Sequence, residues 1–275
     1  MKTKIAVLII TFILSINNYA DAGIVYVNGH ITQNTTWADP INTYVLNGNL
    51  CIDSGATLTL AAGVVLLTDG QLLYIDGRLE SLGGIIHNRN NSYIYVRSSG
   101  QLSMIGGTVR GLGPIQAQNL GLADFSGVTF EYYDGGVWYN VGSPTLIYED
   151  GSKGTLSNCT GSWQLTLSSS QVAITGCTIP YIQLNTSPLA VTGSTFSDAN
   201  PIRIVNPALD TSGITGNMFT HASPWVGLQG ATLTTSKTLT GIDGLGYRMQ
   251  GPLTIANGAT LTLAAGVVLL TDGQL

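Results

Sequence analysis

The chain has 275 residues, of which 9% are charged, 44% are hydrophobic and 35 are glycine, with a formal net charge of −5. Low charge with abundant Ile, Leu, Val and Thr excludes a disordered chain, and the acidic balance argues against nucleic acid, which rewards clustered Lys and Arg. Three cysteines are too few, and odd in number, for a disulfide scaffold.

Residues 1–22 carry Lys2 and Lys4, the apolar run from Ile5 to Ile16, and then Ala20-Asp21-Ala22. That order is a secretory signal peptide with cleavage after Ala22. The apolar run falls short of the roughly 18–20 residues of a spanning helix. The expectation is a secreted protein, extracellular or on the outer cell surface, without a transmembrane segment in its mature part. That part holds 8 basic and 14 acidic residues, a net charge of −6. Its first segment, residues 23–41 with the strand-like GIVYVNG, is expected to cap the repetitive part of the chain.

The repetition begins at Tyr44. Tyr44 to Leu72 returns at Tyr247 to Leu275, at an offset of 203, and both copies end on the identical block GATLTLAAGVVLLTDGQL. Before that block Tyr44, Gly48, Leu50 and Ile52 recur as Tyr247, Gly251, Leu253 and Ile255, so alternate positions are held while their neighbours differ. A shorter period lies inside the unit. GRLESLGGII from Gly77 aligns with GQLSMIGGTV from Gly100, and SGVTF, TGCTI, TGSTF and TGNMF end at Phe130, Ile179, Phe196 and Phe219. LSNCTG from Leu156 marks the coil in the widest gap.

Periods of about 20 residues mark solenoids. The leucine-rich-repeat frame is absent, and no helical pattern separates the strands. Each coil consists of three short runs of alternating apolar residues divided by Gly, Asn, Asp, Ser or Pro. The predicted fold is therefore all-β, a parallel β-helix of roughly 11–12 coils and about 55 Å in length. The unit spans residues 23–246, and 247–275 begin a second, truncated unit, so the protein is expected to continue into further units.

The segment YVLNGNLCIDSGATLTLAAGVVLLTDG from Tyr44 resembles the unit that opens many right-handed parallel β-helix domains, of the pectin-lyase-like fold, in bacterial secreted and surface proteins. The resemblance covers most of the mature chain and implies a right-handed helix. It does not imply an activity, because that fold carries lyases, hydrolases, adhesins and passive stalks.

Cys159 of LSNCTG and Cys177 of TGCTI occupy matching positions, followed in the same column by Ser194 and Asn217. A stacked inward ladder of small residues accounts for them. A Cys159–Cys177 disulfide in an oxidising compartment stays open as the alternative.

Catalytic sets are scarce. A polysaccharide lyase on this fold needs a Ca²⁺-binding acidic cluster beside a basic proton acceptor, and a glycoside hydrolase needs paired carboxylates. The basic residues are scattered, and no acidic pair recurs at one coil spacing beside them. Asp53, Asp69 and Asp76 with Arg78 come nearest, but Asp69-Gly70 and Asp76-Gly77 fit turns. His30, His87 and His221 lie far apart and lack a partner at metal-ligand spacing, so neither a metal nor a cofactor is expected. Thr57-Leu58-Thr59 would suit an ice-binding surface only if threonine ranks continued on neighbouring coils, which the sequence does not supply.

One segment breaks the coil rhythm. Glu131 to Gly151 concentrates Tyr132, Tyr133, Asp134, Trp138, Tyr139, Tyr148, Glu149 and Asp150. Aromatic rings stack on sugars, and acidic neighbours accept hydroxyl hydrogen bonds or hold Ca²⁺, although no Ca²⁺ motif is present. Trp163 and Tyr181 on later coils would extend an aromatic strip. The expectation is a non-catalytic secreted or cell-surface protein, adhesin-like or a stalk, that touches extracellular glycans through this segment. A carbohydrate-active enzyme, a lyase or hydrolase, is the alternative.

Overall fold

A computed structural model describes residues 23–88, 90, 92–111, 113–132, 144–186 and 189–271. The signal-like segment, Tyr133, Asp134, Trp138, Tyr139 and the stretch from Asp272 to Leu275 lie outside the described residues. The rest is an all-β parallel solenoid of about 11 turns. Among the described residues no helix is long and apolar enough to cross a membrane.

Alternation builds each coil. In Thr57–Leu60, Leu58 and Leu60 are fully buried while the threonines between them are half-exposed. The next strands repeat the rule: Leu66 points inward from Val65–Leu67, and Leu73 and Ile75 from Leu72–Ile75. Period two places one apolar set inside, and the turns between strands close the coil into three faces. We call these faces sheets 1, 2 and 3. Sheet 1 has nine strands, beginning with Thr35–Trp37 and Thr57–Leu60 and ending with Ile214–Thr215. Sheet 2 runs from Val65–Leu67 through Ile85–Asn88 and Thr108–Gly111. Sheet 3 runs from Leu72–Ile75 through Tyr93–Val96 to Trp225–Leu228 and Gly246–Met249. The long strand Thr43–Ile52 spans two faces, pairing through Tyr44 with Leu66 and through Leu50 with Leu73.

The paired strands run parallel and, apart from a bulge between Val27 and Gly29, in register, so like stacks on like. Leu58, Leu79 and Leu102 form one fully buried file. Each such leucine contributes about 1.5–3 kcal/mol by leaving water. The interior also takes aromatics, with Phe130 stacked on Trp163 at 4.8 Å and Phe196 on Phe219 at 5.3 Å between ring centres. At the first coil Trp37 and Tyr44 stack at 4.1 Å, and the strand Ile24–Ile31 pairs against Thr43–Ile52.

The corner from sheet 1 to sheet 2 is the most regular part of the coil. The residue directly after each sheet 1 strand takes a positive φ in seven successive coils: Gly83, Gly106, Gly127, Asn158, Gly176, Gly193 and Gly216, with φ between 52° and 81°. Asn is among the few residues with a side chain that tolerate this region. The following residue faces its neighbouring coil closely. A Cβ on Gly107 would lie 2.1 Å from the Gly84 carbonyl oxygen, whereas one on Gly106 meets nothing within 4 Å.

The two halves of this corner therefore differ in tolerance. Gly107→Ala should lower stability by about 2–4 kcal/mol, whereas Gly106→Asn should cost less than about 1 kcal/mol. Urea denaturation of both variants checks this, and equal losses would contradict the close-contact argument.

Candidate functional site

Stacking in register brings together side chains that lie one coil apart in sequence, and the outer face of sheet 3 shows it best. Reading across coils, His30, Cys51, Tyr74, Tyr95, Gln116 and Ile147 form one outward file. The Tyr74 and Tyr95 rings stack at 5.7 Å with planes 14° apart, and Tyr93 stacks beside Tyr95 at 5.5 Å and 11°. Next along the chain direction comes a file of polar residues. Arg97 forms two hydrogen bonds to Asp76, at 3.0 and 2.6 Å, and its guanidinium lies 4.1 Å from the centre of the Tyr74 ring. Gln116 donates to Glu149 across one coil. Burial, the neighbouring tyrosines and the Glu149 carboxylate together push the Tyr95 hydroxyl above its ordinary range. Further along the same sheet Arg203 covers Tyr181 at 3.6 Å, and Arg248 lies 5.1 Å from Trp225.

The segment expected to bind divides. Glu149 reaches this outer face, Asp150 occupies a turn at φ 52°, and Tyr132 is 51% exposed just past the sheet 2 strand Thr129–Glu131. Tyr148 corrects the expectation. It is 1% exposed, and its hydroxyl donates to the Ala123 carbonyl at 2.7 Å inside the coil. Gly154 makes that room, since a Cβ there would lie 2.5 Å from the Tyr148 ring. Trp163 is likewise fully buried, with Nε1 donating to the Thr178 carbonyl at 3.0 Å, so it does not extend a surface strip. Both residues share parity with a core leucine, Tyr148 with Leu146 and Trp163 with Leu165, and alternation alone sends them inward.

The expected ladder has a specific chemistry. Cys159 N–H donates to the Cys177 sulfur at 3.4 Å, Cys177 N–H to the Ser194 hydroxyl at 3.2 Å, and Ser194 N–H to Asn217 Oδ1 at 3.0 Å. Asp243 ends the run by accepting from Gly216 and Asn217 N–H, both at 2.9 Å. Each side chain thus satisfies the backbone of the coil before it. Cys159 and Cys177 are buried free thiols, and contact with the Cys159 sulfur together with burial pushes the Cys177 thiol up.

Three other expectations change. Arg78 pairs with Glu80 at 2.8 Å, and the arginine beside Asp76 is Arg97. Asp53 and Asp76 do recur at one coil spacing beside that arginine. Gly77 serves close approach rather than a positive φ, because a Cβ there would lie 2.2 Å from the Asp53 carbonyl. Thr59 has Thr36 beside it one coil earlier, but the file ends one coil on, since Arg78 and Glu80 stack on Thr57 and Thr59. Threonines do stack elsewhere: Thr108, Thr129 and Thr160 lie in register on sheet 2, as do Thr178 and Thr195 farther along. A single file of outward threonines follows from their strand propensity.

His30 also has partners. Its Nδ1 lies 2.8 Å from Asp53 Oδ1, and the ligand atoms of His30, Cys51 and Asp53 all fall within 4.8 Å of one another. Cys51 and Asp53 stand one coil beyond His30 in the chain. The His30 hydrogen bond holds the Asp53 carboxyl below its ordinary range. Burial, with the nearby Asp53 and Asp76 carboxylates, pushes the Cys51 thiol up to about 12, so it is a thiol rather than a nucleophile at neutral pH.

Comparisons with protein-family models, with curated proteins and with solved structures find no match to this chain. The fold consequently rests on the strand registers described above.

The ladder chemistry predicts an asymmetry at position 177. Cys177→Ala leaves the buried Cys159 N–H without an acceptor and should cost about 1–3 kcal/mol. Cys177→Ser keeps an acceptor, as Ser194 does one coil on, and should cost distinctly less. Chemical denaturation separates the two, and equal losses would show that packing alone sets the position.

Proposed function

We propose that this chain is a non-catalytic, secreted or cell-surface β-solenoid, a stalk or adhesin-like rod, that binds glycans along the outer face of sheet 3. The observation that carries this reading is the tyrosine cluster Tyr74, Tyr93 and Tyr95 set against the Gln116–Glu149 pair. The three rings face one another, so a ligand would meet their edges and hydroxyls. Together with a carboxamide and a carboxylate, these form a flat row of donors and acceptors suited to sugar hydroxyls. Tyr132 offers an open ring just past the strand Thr129–Glu131, while Trp138 and Tyr139 lie outside the described residues. Glycan stacking on such rings is the expected mode of contact there.

The non-catalytic part is supported by how the carboxylates are used. Glu80, Asp76, Glu131 and Asp198 are each held by an arginine one coil or a few residues away. A hydrolase or lyase would need such groups free to take or give protons. Export rests on the signal-like residues 1–22.

The test is a glycan panel probed with residues 23–275. Wild type should bind a subset of glycans without releasing reducing ends or unsaturated products. Tyr95→Ala with Glu149→Gln should weaken that binding at least about tenfold with little change in melting temperature, since both side chains lie on the outer face. Binding untouched by the double variant would overturn the site, and product release by wild type would overturn the non-catalytic reading.

A further inference from the structure

Among the described residues, one cluster of ligating side chains lies at the N-terminal end of the outward file that carries Tyr74 and Tyr95. His30 is on the strand Ile24–Ile31, while Cys51 and Asp53 are at the end of Thr43–Ile52 and just beyond it. His30 and Cys51 are register partners, so their backbones are fixed by the ladder. Their nitrogen and sulfur, with the Asp53 carboxylate, all lie within 4.8 Å of one another. A tetrahedral ion with bonds of about 2.0–2.3 Å needs ligand atoms roughly 3.3–3.8 Å apart, so the 2.8 Å contact of His30 with Asp53 must open slightly and the wider gaps, all within 4.8 Å, must close. The His30 side chain is 65% exposed, which leaves the group open to an entering ion.

The bland account is a surface hydrogen bond at a turn. The duplicated unit argues against a purely structural role, because the equivalent coil carries Thr254 and Ala256 in place of Cys51 and Asp53. It nevertheless makes the same turn: Ala56 N–H donates to the Asp53 carbonyl at 2.9 Å, and Ala259 N–H to the Ala256 carbonyl at 3.0 Å. Neither the thiol nor the carboxylate is required to fold this coil.

We propose that His30, Cys51 and Asp53 form a binding site for a divalent first-row transition ion of the zinc type, with water as fourth ligand. One nitrogen, one sulfur and one oxygen donor suit such an ion, and they do not suit calcium, which takes six or more oxygens. Binding forms a metal–sulfur bond and releases the Cys51 thiol proton to solvent. His30 binds as the neutral imidazole: the Nδ1–H that now donates to Asp53 gives up its hydrogen bond, the ring proton passes through solvent to Nε2, and the Nδ1 lone pair goes to the ion. Thiolate and Asp53 then supply two negative charges against the two positive charges of the ion. Asp76 stands beside the sulfur: its Oδ2 lies 3.6 Å from the Cys51 Sγ, and Arg97 neutralises and orients the carboxylate.

The probe is Co²⁺, then Zn²⁺, added to reduced protein comprising residues 23–275 at neutral pH. The expected result is one equivalent of Co²⁺ with a sulfur-to-cobalt charge-transfer band, displaced by Zn²⁺ and unmoved by excess Ca²⁺. Cys51→Thr should abolish the band, and Asp53→Ala and His30→Ala should each weaken binding at least about tenfold. Since the duplicated coil already carries Thr and Ala at the two equivalent positions, C51T and D53A should fold, which circular dichroism checks. A Cys159→Ser, Cys177→Ser variant should keep the band. A band that survives Cys51→Thr, displacement by Ca²⁺, or no stoichiometric uptake would overturn the proposal.

Discussion

The parallel backbone ladder, in register from coil to coil, is the constraint on which the rest of the structure depends. It gives each side chain two obligatory neighbours, the residues at the same position one coil before and one coil after. Inside, this makes files such as Leu58, Leu79 and Leu102, and it forces large and small residues to be chosen jointly along a file. Tyr148 is accommodated because Gly154 removes the atom that would strike its ring. Polar groups obey the same rule: the column through Cys159, Cys177, Ser194 and Asn217 answers an N–H of the preceding coil at every step. Along this column the buried backbone N–H groups are thereby satisfied by side chains of the next coil.

Outside, the same spacing turns distant residues into contacts. Asp76 meets Arg97 and Arg110 meets Glu131, each 21 positions apart, while Asn90 reaches Asp69 at the same separation. Exposed pairs of this kind add little stability, about 0–1 kcal/mol each. Their larger effect is to hold side chains in one orientation along a flat face. That turns an outer sheet into an ordered array of donors, acceptors and rings, a surface better suited to an extended ligand than to a small molecule needing a deep pocket.

The fold was legible because its two periods leave repeated marks. The αL corner appears as the glycine of GGII, GGTV, SGVTF, TGCTI and TGSTF, and the alternation of TLTL or LLYI assigns the inner face. The site was legible only in part. Aromatic content draws attention to Glu131–Gly151, yet content does not assign sides. Parity does, and it places Tyr148 with Leu146 and Trp163 with Leu165 in the core. The same parity puts Tyr74 and Tyr95 outward, opposite Leu73 and Ile94. Motif spacings drawn from helices and loops also mislead in a solenoid. His30 looks isolated in the sequence because its partners stand a whole coil farther along, which becomes adjacency once the coil is wound.

The duplicated unit separates what the scaffold requires from what it leaves free. Tyr44 pairs with Leu66 and Tyr247 with Leu269, the same register in both copies. Their surroundings differ, because the first copy's strand stacks against Ile24–Ile31 while the second, Gly246–Met249, stacks on Trp225–Leu228 of sheet 3. A strand equivalent to one that leads into sheet 2 thus continues sheet 3, and the copy joins the stack turned by one face. The coil tolerates this because each strand presents the same requirement, apolar residues inward at alternate positions with a turn at each end. What the copy does not carry is the outward chemistry, since Thr254 and Ala256 stand where Cys51 and Asp53 did. Inward positions and turns define the repeat, so outward positions are free to differ between copies, and a site built from neighbouring coils belongs to a place in the stack rather than to the repeated unit.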